Sequence, residues 1–259
     1  MVEAIIAENV TKDFVLRRHK TFKKMTVAKM RGQQTVDRFN AVDDVSFTIQ
    51  QGESVGLMGL NGSGKSTLLK VISGVMKPNK GTILTRGRIA GLIATGAGFQ
   101  SQLSGLENIY LNAAIYGLNE KETKAVLDEI IDFADIGQFI DQPVGTYSSG
   151  MSSRLGFSIA VHVDCDIFLA DEILAVGDKP FKRKCLNKME EIRTSGKTMV
   201  YVSHAAASVR KMCDRVICLE KGRLIFDGDV EEGIRMLDYG DDDDGDELAM
   251  DDAELGADV

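Results

Sequence analysis

Long apolar runs are missing from this 259-residue sequence, none approaching the roughly 18–20 residues a helix needs to cross a bilayer, so no transmembrane helix is expected. The opening, MVEAIIAENV, lacks the basic n-region and small-residue cleavage site of a secretory signal. Both absences point to a cytosolic chain that meets a membrane only through a partner. The four cysteines, Cys165, Cys185, Cys213 and Cys218, form no CxxC pair and share no metal-ligand spacing with the three histidines. They read as small buried hydrophobes in a reducing compartment. Basic charge is missing from the end of the chain. From Asp241 onward there are 10 acidic residues and no Lys or Arg. Setting these aside leaves 29 acids against 31 bases, so residues 1–240 carry about +2 although the whole chain carries −8. The acidity belongs to a tail, residues 239–259, whose apolar surface is too small to offset the entropy of ordering, and disorder is expected there.

What remains has the composition of a globular body, 44% apolar and 27% charged, long enough for a substantial core. Residues 2–14 and 45–50 alternate like strands. Between them, residues 17–38 hold Arg17, Arg18, Lys20, Lys23, Lys24, Lys29, Arg31 and Arg38 against the single acid Asp37, which reads as an inserted basic segment. Ser54–Met58 is a short apolar run of the kind found in a buried parallel strand. Further strands are expected at residues 88–94, 167–170 and 198–202. Helical spacing covers residues 66–73, 121–133, 152–163 and 180–193, with Pro180 suited to a first turn. Residues 216–220 and 224–226 flank Lys221-Gly222, a hairpin signal. Strands alternating with helices predict a mainly parallel α/β sheet, and the helix-rich stretch 101–160 predicts a helical subdomain.

Residues 59–66, Gly59-Leu60-Asn61-Gly62-Ser63-Gly64-Lys65-Ser66, match GxxxxGK[ST] letter for letter, between a strand and a helix. Glycines let the backbone turn so that successive N–H groups face phosphate oxygens, and the helix that follows adds its positive end. Lys65 supplies a point charge at the β- and γ-phosphates, and the Ser66 hydroxyl can ligate Mg²⁺. In Ile167-Phe-Leu-Ala170-Asp171-Glu172 an apolar strand ends in two acids, which places both carboxylates at the C-terminal edge of the sheet. Asp171 is suited to hold Mg²⁺, and Glu172 to polarise an attacking water as general base. Tyr147-Ser148-Ser149-Gly150-Met151 precedes a helix expected to begin near Ser152. Alone it is an ordinary N-cap pattern, and its place about twenty residues before the Asp-Glu pair gives it weight. Asn187-Lys188-Met189-Glu190 comes near the NKxD guanine motif, but it ends in Glu inside a helical stretch with no strand before it, which argues against GTP.

Taken together, these motifs make the chain similar to an ABC ATPase from about residue 3 to residue 237. YSSGM stands where the family has LSGGQ. It departs at the first, third and fifth letters and keeps Ser148 and Gly150, which in the family face a γ-phosphate. Gln100 resembles the Q-loop glutamine and a metal ligand, Asp178 the D-loop aspartate, and His204 the switch histidine after the strand TMVYV. The resemblance also implies a nucleotide contact from Thr67 and an aromatic stacked on adenine, with Phe14 favoured and Phe39 the competitor. It implies a P-loop (RecA-like) fold with a mainly parallel sheet, an antiparallel β subdomain and a helical subdomain. Residues 1–238 would be the ATPase domain, with ATP and Mg²⁺ bound and ATP hydrolysed.

Within that family, residues 147–160, 172–178, 96–99 and 103–109 are similar to the ATPases of cell-surface polysaccharide exporters of the O-antigen, teichoic acid, capsule and galactan types. This implies export of a lipid-linked glycan, a nucleotide-sandwich homodimer and two multi-pass membrane subunits. The chain would lie at the cytoplasmic face of the plasma membrane, and nucleic acid is not an expected partner. The basic insertion reads equally as a solvated excursion or as a segment near the membrane that meets anionic lipid head groups or a pyrophosphate-linked lipid substrate. Two other classes stand as alternatives, a soluble ABC ATPase of DNA repair or translation and a non-catalytic nucleotide-binding regulator. The first usually needs a long coiled-coil insertion or two cassettes, and neither is visible. Intact Lys65, Asp171, Glu172 and His204 oppose the second.

Overall fold

The computed structural model of the protein describes residues 2–16, 37–92, 98–171, 178–203 and 205–237. The chain opens with a long hairpin, β1 (Glu3–Leu16) and β2 (Asp37–Gln50), then β3 (Ser54–Met58), α1 (Lys65–Ile72), β4 (Lys80–Thr85) and β5 (Ile89–Gly91). Helices α2 (Gly105–Ile115) and α3 (Glu120–Ala134) follow, then two 3-10 turns, Gly137–Asp141 and Val144–Thr146, and α4 (Ser149–His162). After β6 (Ile167–Ala170) come α5 (Lys179–Thr194), β7 (Thr198–Val202), α6 (Ala206–Met212), β8 (Arg215–Glu220), β9 (Arg223–Gly228) and α7 (Val230–Met236).

Two sheets result. One is antiparallel, in the order β2-β1-β4. The other has the order β5-β6-β7-β3-β8-β9, parallel except for β9, which returns from β8 through the tight turn at Lys221-Gly222, both at positive φ. That turn is the hairpin expected from sequence. The parallel strands read as continuous apolar runs because both of their faces are covered. Their side chains still alternate. Val55, Leu57, Ile167, Leu169, Val200 and Val202 pack toward α1 and the antiparallel sheet. Met58, Phe168, Ala170, Met199 and Tyr201 pack toward the helices on the other side. The result is three layers with the large sheet in the middle.

Local chemistry sets most helix starts. Ser104 with Glu107 and Asn119 with Glu122 form complete capping boxes at α2 and α3. Ser148, Asp178 and Asp229 cap α4, α5 and α7 through their side chains. Helices α2, α3 and α4 occupy the expected helical subdomain. Three sequence expectations need correction. Helix α4 begins at Ser149 rather than near Ser152, because Ser148 is already the cap. Strand β5 is confined to Ile89–Gly91, shorter than residues 88–94, and residues 93–97 lie outside the described residues. The strands expected at 2–14 and 45–50 are parts of two 14-residue strands paired along their length, from Glu3↔Gln50 to Leu16↔Asp37. The basic segment therefore joins the two strands of one hairpin. Its residues 17–36 and the acidic tail from residue 238 lie outside the described residues.

All four cysteines are buried and free. Burial pushes the thiols of Cys165 and Cys218 up to about 11 and those of Cys185 and Cys213 to about 12, far from reactive thiolates. His162 ends α4 with its Nδ1 2.7 Å from the Ser158 carbonyl and its ring edge-on to Phe133. It packs. Among the described residues no helix is long and apolar enough to cross a membrane.

Candidate nucleotide site

The site is built on the C-terminal edge of the parallel sheet. Register brings its strands to that edge nearly abreast: Gly91 of β5 pairs with Leu169, Ala170 of β6 with Tyr201, and Val202 of β7 with Leu57 of β3. Each strand hands the chain to a segment singled out by sequence. Strand β3 leads into residues 59–66 and β6 into Asp171. Strand β7 leads into Ser203, and β5 into the stretch that ends at Gln100. In open α/β sheets this edge is where ligands bind.

Gly64 occupies the N-cap position of α1 at φ 110°, so the backbone turns into the helix in a conformation that L side chains rarely adopt. A Cβ at Gly64 would lie 2.2 Å from the Ala41 carbonyl oxygen. Ala41 is a bulge residue, since β2 pairs Val42 with Lys12 and Asn40 with Asp13 and skips it. The loop is braced again from the β8–β9 turn, where the Gly222 N–H donates to the Ser63 carbonyl (2.9 Å) and the Asp43 N–H donates to the Gly222 carbonyl (2.7 Å). Ser63 and Gly64, at the helix end of the loop, are thus braced by both sheets.

The start of α1 differs from most other helix starts. It has no side-chain cap and no acid in its first turn. The first N–H groups of a helix have no partner within the helix, and here they and the positive dipole end face the loop, an arrangement suited to an anion. Lys65 is 7% exposed, and its Nζ donates to the carbonyls of Gly59 (2.5 Å) and Leu60 (3.2 Å). Burying an ammonium is costly without compensating charge or hydrogen bonds, and a polyphosphate would supply more of both. Ser66 is exposed and Thr67 half-buried on the first turn, and Asp171 is half-buried at the end of β6. A hydroxyl and a carboxylate are hard oxygen donors, the ligand chemistry of Mg²⁺, so the residues present fit that ion. Ser203 is buried, and its Oγ accepts the Ala205 N–H (3.1 Å). Glu172 and His204 themselves lie outside the described residues.

The remaining site residues sit on other bodies. Gln100 is exposed at the head of the helical layer. Phe14 and Phe39 are direct cross-strand partners at the far end of the hairpin, so the two adenine candidates lie side by side. Phe14 is half-buried beneath Lys12, whose Nζ stands 5.8 Å from the ring centre, and Phe39 is 48% exposed. Ser148 and Gly150 open α4, and the Ser148 Oγ accepts the Met151 N–H (3.2 Å). Asp178 caps α5 and pairs with Arg154 Nη2 of α4 (2.7 Å). Arg154 also lies 4.9 Å from the Phe181 ring centre and 3.5 Å from Asp135 Oδ2. This joint ties the helix after Ser148 to the helix after the Asp171 strand. In the sequence Arg154 is one letter within the stretch 147–160. An Arg five residues into a Ser/Gly-opened helix carries no signal of its own, because its partner Asp178 is 24 residues away.

A glycine loop between a buried parallel strand and an uncapped helix, with a carboxylate on the next strand but one, defines a P-loop nucleotide-binding protein. The model of the ABC transporter family matches residues 42–175. The chain is 42% identical over 240 residues to the O-antigen export system ATP-binding protein RfbB of Klebsiella pneumoniae, covering 91% of this chain and 98% of the relative. It is 46% identical over 225 residues to the teichoic acids export ATP-binding protein TagH of Bacillus anthracis, covering 87% of this chain but 40% of that longer relative. Among solved structures, the ATP-binding subunit of an ABC transporter superposes with a TM-score of 0.69 at 22% identity, covering 95% of this chain and 98% of that one. A dimeric ATP-binding cassette in a post-hydrolysis state with ADP and Pi superposes with a TM-score of 0.67 at 22% identity, covering 87% and 98%. At that identity both show the fold alone. The chain belongs to the ABC transporter family, as an ATP-binding, ATP-hydrolysing member.

Proposed function

We propose that this chain is the ATP-hydrolysing subunit of an exporter of a lipid-linked cell-surface polysaccharide or teichoic acid, working as a homodimer against two multi-pass membrane subunits at the cytoplasmic face of the plasma membrane. The relatives' names support export of this class of glycan over a soluble repair or translation ATPase. The nucleotide half of the reading rests on the open, acid-free start of α1 with Lys65 in its mouth, on the sheet edge that also carries Asp171.

In this reading ATP lies between residues 59–66 of one copy and Ser148–Gly150 of the other. The loop N–H groups and Lys65 hold the phosphates, Thr67 adds a contact on the first turn of α1, and Phe14, with Phe39 beside it, offers an aromatic face to adenine. Mg²⁺, when bound, supplies positive charge at the β- and γ-phosphates, and Ser66, Gln100 and Asp171 would hold it. Glu172 takes a proton from the attacking water, His204 reaches the γ-phosphate, and Asp178 lies at the seam between copies. ATP drives the membrane subunits only through its tighter binding to the closed dimer.

Two measurements test this. Lys65→Ala should lower ATP turnover by roughly 10²–10³-fold, the usual cost of removing one group that stabilises transition-state charge. Unimpaired turnover contradicts the loop assignment. Purification from detergent should bring down a multi-pass membrane protein with the chain, and its absence under conditions that preserve ATPase activity contradicts the transporter reading.

A further inference from the structure

Asn108 falls within the stretch 103–109 that resembles the exporters but is given no role of its own there, yet it is among the most constrained polar residues in the described chain. It sits in the first turns of α2 with no exposed surface. Its Oδ1 accepts the Gln100 N–H (2.8 Å). Its Nδ2 lies within donating distance of the carbonyls of Gln100 (3.1 Å), Leu103 (3.1 Å) and Ser104 (2.9 Å). One side chain thus takes both backbone groups of Gln100, as a neighbouring strand would. One turn on, Asn112 is also buried and donates from its Nδ2 to the Asn108 carbonyl (3.0 Å). Leaving any of these buried groups without a partner carries a desolvation penalty, so the amide holds a single geometry.

The segment it pins is paired in turn with the chain leading to Ser148. The Gly145 N–H donates to the Ser101 carbonyl (2.8 Å), the Val144 N–H to Leu103 (2.9 Å), and the Gly105 N–H to Gln142 (3.2 Å). Tyr147 Oη donates to the Phe139 carbonyl (2.6 Å), and a Cβ on Gly105 would lie 2.2 Å from that hydroxyl. Residues 101–105 and 142–147 are therefore held together by these bonds, with Asn108 as the pin at the Gln100 end.

We propose that Asn108 is a positioning residue for Gln100, setting where the exposed glutamine side chain leaves the helical layer and tying that place to the body that carries Ser148. The inference rests on the reading of Gln100 as a ligand at the nucleotide site. Asn108 touches neither nucleotide nor metal. Its loss displaces Gln100 and leaves the loop at residues 59–66, and so most of the ATP-binding contacts, in place.

The test is steady-state ATP hydrolysis by the full chain carrying Asn108→Ser, Gln100→Ala or both, each assayed well below its own thermal unfolding midpoint. Misplacing a reacting or metal-holding group by about 1 Å can cost on the order of 10²-fold, so kcat for Asn108→Ser should fall roughly 10- to 100-fold with KM for ATP within about threefold. Adding Asn108→Ser to Gln100→Ala should cost little more, because both act through one side chain. If the serine variant does not fold, Asn108→Asp, which keeps the acceptor for the Gln100 N–H and loses the donor, enters the same comparison. Losses that multiply, or a raised KM at unchanged kcat, overturn the inference while leaving the function intact. A Gln100→Ala variant with full kcat removes the reading of Gln100, and the inference with it.

Discussion

Replacing Gly64 by alanine separates two demands on the phosphate loop, backbone conformation and close approach. At φ 110° an L residue is strained, and the added Cβ would stand 2.2 Å from the carbonyl oxygen of Ala41, a backbone atom braced by the hairpin bulge. Left-handed strain costs about 1–2 kcal/mol, and forcing extra volume against fixed backbone adds about 1–3 kcal/mol. Gly62 is the internal control. Its φ is 81°, and a Cβ there meets nothing within 4 Å, so only the strain applies. Urea unfolding should therefore place Gly64→Ala about 1–3 kcal/mol below Gly62→Ala at unchanged m-value. Nucleotide binding should follow the same order, because relief of the clash tilts the start of α1 away from its anion-facing position. Equal destabilisation of the two variants, or full ATP binding by Gly64→Ala, would refute the claim that the wedge against Ala41 shapes the loop.

Other consequences can be checked with the same protein. Glu172→Gln should lower turnover by roughly 10²-fold or more and accumulate an ATP-bound dimer on gel filtration, since a general base contributes about that much; normal turnover removes the base assignment. None of the four thiols should react with Ellman's reagent in native protein at mild alkaline pH, given thiols pushed up to about 11–12 by burial, and all should react in denaturant. Rapid native labelling contradicts their burial. Burial, outweighing the hydrogen bond to Ser158, holds His162 below its ordinary 6.5, so the unfolded chain takes up its proton first as pH falls. The stability this neutral imidazole confers is present above pH 6.5 and declines below it toward the depressed folded value. His162→Gln should flatten that part of the stability–pH curve, and an unchanged slope excludes the effect.

How much of this was legible in the sequence varied with how local each cause is. Residues 59–66 could be read directly because glycine spacing, a buried strand and a lysine all fall within eight letters. The parallel core strands showed in their continuous apolar runs. Strand β4 did not, since it is an edge strand with almost every side chain exposed and so little alternation to read. Helix α2 escaped because Asn108 and Asn112 lie on its buried side and interrupt the apolar stripe that marks a helix. Register was invisible as well. The pairing of Phe14 with Phe39, the bulge at Ala41 and the joint from Arg154 to Asp178 depend on residues 24 to 25 positions apart meeting in space, or on one residue being skipped. Sequence motifs named the parts of the site, and the strand order β6-β7-β3 brought their strands to one edge.

In the proposed function each ATP is shared, bound by the loop of one copy and by Ser148–Gly150 of the other. Two variants that are each inactive as homodimers, Lys65→Ala and Ser148→Arg, test it when mixed. A mixed dimer of such halves has one site with both defects and one with neither, so an equal mixture should recover up to about a quarter of wild-type turnover in a two-fold symmetric dimer. If each chain completed its own site, every site in the mixture would carry one defect. Turnover that stays at the level of the separate variants would then contradict the shared site.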